Sequence, residues 1–159
     1  MKAIVVYDSV FGNTEKIAQA IKAALDSKAE AQLLKAQEVS AEGLTNTDLL
    51  VLGSPTRGFQ PTEAVSGLLK DANPTSLKGI RVAAFDTRFK ADEIKSTATR
   101  FIVKTGGYAA KRIATQLEKA GGSLVAAPEG FYVEDIEGPL KAGELERAAA
   151  WASELLARI

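Results

Sequence analysis

Lys2–Tyr7, Leu49–Gly53 and Ile80–Phe85 are apolar runs with almost no polar alternation. A strand with one wet face alternates apolar and polar residues; these do not, so both of their faces must be covered. Stretches of helical spacing lie between them. Ile17, Ala20, Ile21, Ala24 and Leu25 share one stripe within 13–27, and a further helix is expected over about 62–71. Ala110, Ile113, Ala114 and Leu117 mark a helix that opens after Gly106-Gly107 and closes at Gly121-Gly122. A last helix is expected from near Pro139, with Leu145, Ala148, Ala149, Ala152, Leu155, Leu156 and Ile159 as its stripe. Weaker strands are expected over 30–36 and 123–126, the latter interrupted by Ala127-Pro128-Glu129-Gly130 and resuming at Phe131-Tyr132-Val133. Arg88–Gly106 reads as a long excursion in which Ile94, Ala98, Phe101 and Ile102 share a candidate helix face.

Strands that alternate with helices predict an α/β fold: a five-stranded parallel sheet between two helical layers, with right-handed crossovers. No linker, repeat or low-complexity tract breaks the chain, so 1–159 is expected to be a single domain. Ligands of such sheets bind beyond the carboxyl ends of the strands. The loops after Tyr7, Gly53 and Phe85 are therefore the places to look.

Composition narrows the chemistry. The chain has neither Cys nor His, so disulfides, a thiolate nucleophile and the commonest general base are all excluded. A zinc site with soft or imidazole ligands is excluded with them. Any redox or group-transfer chemistry then falls to a cofactor. Lys plus Arg and Asp plus Glu stand at 20 each, which points away from nucleic acid and from a membrane surface. No leader pattern opens the chain and no apolar run has membrane-spanning length, so a cytoplasmic protein without membrane insertion is expected.

Ser9-Val10-Phe11-Gly12-Asn13-Thr14 joins the first strand to the first helix. A helix N-terminus offers unpaired N–H groups and partial positive charge, which suits a phosphate, and Gly12 lets it come close. A hydroxyl-capped turn with no ligand would use the same residues. No Lys follows Gly12 as a nucleoside-triphosphate loop requires. The second loop, Gly53-Ser54-Pro55-Thr56-Arg57-Gly58-Phe59-Gln60-Pro61, is stiffened by two prolines; its Phe59 either faces a ligand or folds back to the core. The third, Phe85-Asp86-Thr87-Arg88-Phe89, carries an Asp that either serves a ligand or caps a turn. In a sheet of order 2-1-3-4-5 these strand ends sit side by side.

Taken together, the loops resemble those of the flavodoxin family. Ser9-x-Phe11-Gly12-x-Thr14 is similar to its phosphate loop, with Phe11 where a hydroxyl residue is usual. Gly-Ser-Pro-Thr (53–56) resembles its second flavin loop, and Ala84–Arg88, Ala-Lys-Arg-Ile (110–113) and Phe131…Glu137-Gly138-Pro139-Leu140…Gly143-Glu144-Leu145 are also similar to it. The resemblance covers essentially the whole chain. It implies a flavodoxin-like three-layer fold and FMN as cofactor. The phosphate would lie in Ser9, Val10, Phe11, Gly12, Asn13 and Thr14. The isoalloxazine would lie between Ser54, Pro55, Thr56, Arg57, Gly58 and Phe59 on one side and Asp86, Thr87, Arg88 and Phe89 on the other. Phe59 and either Phe89 or Tyr108 are the candidate stacking rings, and the Arg57–Gly58 peptide is the one expected to turn when the flavin is reduced.

The resemblance further implies an electron carrier, monomeric or homodimeric, serving a redox partner protein. An FMN-dependent NAD(P)H, quinone or porphyrinogen-type oxidoreductase is the alternative. A phosphoacceptor signalling domain shares the fold. It would need an acidic cluster, an Asp and a Lys after the first, third and fifth strands, and these positions lack them. With a neutral chain and Arg57 and Arg88 at the flavin loops, the expected potential is less negative than in acidic carriers of this family.

Overall fold

The computed structural model describes residues 1–90, 97–98 and 107–159. The expected excursion over 88–106 lies mostly outside them. Six strands, β1 (Lys2–Tyr7), β2 (Glu30–Lys35), β3 (Leu49–Pro55), β4 (Arg81–Arg88), β5 (Ser123–Leu124) and β6 (Glu129–Tyr132), form one sheet. Every pairing between these strands is parallel, in the order β2-β1-β3-β4-β5, with β6 also on β4. The described helices are α1 (Asn13–Leu25), α2 (Glu63–Asp71), α3 (Ala109–Lys119) and α4 (Glu144–Ala157).

Side chains alternate across a strand, and here both sets are apolar. Ile4, Val6, Leu50, Leu52, Val82 and Ala84 pack with Val65 and Leu69 of α2 and Ile113 and Leu117 of α3. Ala3, Val5, Leu49, Val51, Ala83 and Phe85 pack with Ile17 and Ile21 of α1 and Trp151 and Leu155 of α4. This double burial is why the central runs are unbroken, and why edge strand β2 is only half-buried.

Three expectations need adjusting. The fifth strand is two pieces: β5 pairs with β4 at Arg81 and Val82, and β6 pairs with it from Phe85 to Arg88. The chain leaves the sheet between them and rejoins at Glu129, inside the stretch expected to interrupt it. β4 runs to Arg88 rather than ending at Phe85, because Ser54 and Pro55 of β3 stay in register with Asp86 and Thr87. α4 begins at Glu144 rather than near Pro139, and its buried face is Glu144, Ala148, Trp151, Ala152 and Leu155. Leu145 is exposed. The rotation of the helix is set by Trp151, which packs edge-to-face with Phe85 and Phe131 at centroid distances of 6.3 and 6.1 Å.

Candidate functional site

The carboxyl ends of β1, β3 and β4 open onto one cleft. Ser9, Val10, Phe11, Asn13, Thr14, Pro55, Thr56, Arg57, Gly58, Thr87, Arg88 and Phe89 line it, all residues expected from the sequence. Val133 and Ile136 line it as well.

Around the first loop, Ser9 Oγ accepts from the N–H of Gly12 at 3.1 Å and of Glu15 at 3.3 Å. From outside the helix it serves an N–H of the first turn, and its own proton has no acceptor among the described residues. Gly12 has φ +92°, and a Cβ there would meet nothing within 4 Å. The N–H groups of Asn13 and Thr14, at the start of α1, have no acceptor among the described residues. Their side chains are otherwise engaged. Asn13 Nδ2 donates to the Glu137 carbonyl at 3.1 Å, and the Thr14 hydroxyl lies 2.8 Å from that of Thr87. The loop therefore presents main chain to the cleft while its side chains stitch it to neighbouring loops. Beneath it, the Tyr7 hydroxyl donates to Glu15 at 2.9 Å. Burial, with the Glu15 carboxylate adding to it, pushes the Tyr7 phenol up to about 12.

In the second loop, Ser54 is fully buried and holds the loop from below: its Oγ accepts from Thr62 N–H at 2.9 Å. Thr56 Oγ1 accepts from Ala109 N–H, which ties the loop to α3. Phe59 stands off the cleft wall.

The third segment is governed by an ion pair. Asp86 is fully buried; Arg88 Nε and Nη2 donate to its two oxygens at 2.6 and 2.8 Å, and Ala110 N–H donates at 2.8 Å. Burial pushes the Asp86 carboxyl up, against the pull of these donors. All three of these bonds are donated to Asp86, the environment of a carboxylate. The Arg88 guanidinium lies 3.7 Å from the Tyr108 ring centroid, and a Cβ at Gly130 would come within 2.2 Å of it. Clamped this way, Arg88 faces the cleft with its charge matched by Asp86, and Tyr108 stacks on it. Phe89 and Phe11 are the aromatic residues on the cleft wall among the described residues.

Of the two arginines expected at the flavin loops, Arg88 is paired with Asp86. Arg57 is exposed and has no ion pair among the described residues. The exposed carboxylates of Glu134, Asp135 and Glu137 stand on the loop that carries Ile136. The neutral whole-chain balance does not reveal such a local gathering of acids. Val10, Phe11 and Ile136 are 48%, 47% and 67% exposed and give the cleft an apolar rim. Ile136 had a signal in the sequence: an isoleucine between acids, outside any apolar stripe, has no core to enter.

A family model described as a flavodoxin domain matches residues 4–127. Among solved structures, oxidised flavodoxin 2 from Bacillus cereus is 26% identical, with all of both chains covered and a TM-score of 0.78. Oxidised flavodoxin 1 from the same organism is 17% identical, with 100% of this chain and 99% of that one covered, at a TM-score of 0.80. Two-electron-reduced flavodoxin from Megasphaera elsdenii is 21% identical, with 96% and 98% covered, at a TM-score of 0.67. The last two share the fold. With the sheet order, the loop at each strand end and a match over most of its length, the chain belongs to the flavodoxin family.

Proposed function

We propose that this protein is an electron carrier that holds FMN in the cleft at the carboxyl ends of β1, β3 and β4 and exchanges electrons with protein partners. Flavodoxins bind FMN, and the cleft fits such a group. Two main-chain N–H groups at the start of α1 lack acceptors, Gly12 leaves open space beside them, and no acidic side chain among the described residues lines the wall to repel a phosphate. Residues 10–14 would hold the phosphate. Residues 55–58 and 87–89 would flank the ring. Bound FMN supplies the reversible electron chemistry that these side chains cannot.

The observation that favours a carrier over a substrate-converting enzyme is the make-up of that wall. Its ionisable side chains, among the described residues, are Arg57 and Arg88. Neither moves a proton near neutral pH. The chain's role is then to bind, orient and shield, with the apolar rim of Val10, Phe11 and Ile136 available to a docking partner.

FMN titration followed by absorbance, then anaerobic addition of NADH and NADPH, tests this. The expected result is saturable binding, with the oxidised band persisting until a chemical or photochemical reductant is added. Prompt bleaching by a nicotinamide would replace the carrier with a reductase, and no binding would remove the cofactor site.

A further inference from the structure

The turn that borders the cleft is strained, and a residue on its far side holds it. Arg57 N–H donates to the Gln60 carbonyl at 2.9 Å, and Gln60 N–H returns a bond to Arg57 at 3.0 Å. Between them Gly58 and Phe59 have φ of +54° and +66°. Two successive left-handed residues closed by reciprocal bonds form a tight turn of the primed kind. Glycine adopts that conformation freely, but a bulky aromatic does not. Phe59 is the single non-glycine residue with positive φ among the described residues.

Strain of this sort persists where the surroundings over-determine it. Arg112 Nε donates to the Phe59 carbonyl at 3.0 Å. Its neighbours Ile113 and Ala114 are buried against the sheet, so its backbone is fixed while its side chain lies exposed on α3. Arg57 and Gly58 face the cleft from the other side of the same turn.

We propose that Arg112 is a positioning residue: through the Phe59 carbonyl it clamps the left-handed turn and so fixes the Arg57–Gly58 segment that bound FMN meets. The role toward FMN rests on the cofactor reading above; the clamp itself does not. Two elements are coupled here. α3 lies outside the cleft wall, yet its register with the 57–60 turn sets how the Arg57–Gly58 peptide is presented.

Hydrogen exchange on the FMN-free protein is the first test. Arg112→Ala should speed exchange of the Arg57 and Gln60 amides by roughly tenfold, the factor a charge-assisted bond carries. Adding Phe59→Gly to that variant should slow it again, because glycine needs no clamp at φ +66°. In the FMN-loaded protein, Arg112→Ala should change the separation between the two one-electron midpoint potentials, and Lys111→Ala, which removes an adjacent charge without touching the turn, should not. Unchanged amide exchange in Arg112→Ala would overturn the clamp. So would faster exchange on adding Phe59→Gly, since flexibility rather than strain would then govern the turn. Equal potential shifts in the two charge-removing variants would overturn its role toward FMN, leaving only a field effect. A protein that fails to take up FMN would sink the cofactor reading while the exchange data still decide the clamp.

Discussion

Asp86 and Arg88 are two residues apart on β4, so their side chains project to the same face and meet at 2.6 Å. The Arg88 side chain is 16% exposed and that of Asp86 is fully buried, so neither charge is well solvated without the other. Asp86→Asn is expected to cost about 2–4 kcal/mol, because it leaves a largely buried guanidinium without its counter-charge. Chemical denaturation measures that loss. The same variant leaves an unmatched cation at the cleft, so the midpoint potential of bound FMN should rise by about 40 mV for each kcal/mol of added attraction. A variant as stable as the parent, with the same potential, would show that the pair does not control the field. The motif itself was legible, since Asp86, Thr87 and Arg88 stand at a strand end. Whether Arg88 would pair with Asp86 or point to solvent was not. Asn13 and Thr14 teach the same lesson: as residue types they suit a phosphate cradle, yet their side chains bond to Glu137 and Thr87, far along the chain.

At the scale of elements, Gly53 of β3 pairs with Phe85 of β4 at a place that leaves no room for a side chain. A Cβ built on Gly53 would lie 2.1 Å from Phe85 Cζ, with Phe85 already wedged against Phe131 and Trp151. Gly53→Ala is therefore expected to destabilise the protein by about 3 kcal/mol, at the upper end of overpacking costs. A melting temperature within a degree or so of the parent's would rule out this packing constraint; a loss of that size in a domain this large amounts to several degrees. The elements were the most readable part of the sequence, because double burial and helical period are local signals. Their ends were less so. β4 outruns its apolar stretch because neighbouring strands extend beside it, and a lone chain segment carries no record of its neighbours. Similarly, α4 turns Leu145 outward and Trp151 inward because an aromatic pocket lies on the sheet beneath, although both residues sit on plausible helical stripes.

Across the whole molecule, α4 returns the chain to the sheet edge through one charged cluster. Arg147 donates to Glu144 and Glu129 and to the Gly130 carbonyl, while Glu144 accepts from Tyr132 N–H at 2.7 Å. Burial by itself would raise the Glu144 carboxyl, but Arg147 and the Tyr132 N–H hold it below the ordinary carboxylate range. A carboxyl depressed in the folded state stabilises fully above its ordinary value of about 4.3, and loses that contribution as pH falls through its folded value. Asp86, displaced upward, works in the opposite sense, so the parent's acid profile contains both. The difference between the parent and Glu144→Gln isolates the first. That difference should be largest at neutral pH and shrink steadily on acidification below the ordinary range. A difference that stays constant with pH would mean that the cluster acts through packing alone.

The amino-acid sequence by itself determined the architecture: apolar runs without alternation require burial on both faces, and helices between them force parallel strands. That logic also located the cleft, because every βα loop of such a sheet lies at the carboxyl end of its strands. Only the tertiary structure decided the wall and the field of the cleft. Ile136 and Val133 reach it from the far end of the chain, Arg88 is paired with a buried aspartate, and Phe59, on a left-handed turn, does not line it. Periodicity records which face of an element is buried. It does not record which distant residue meets that face, because such meetings are fixed by strand register and helix rotation after the layers have packed.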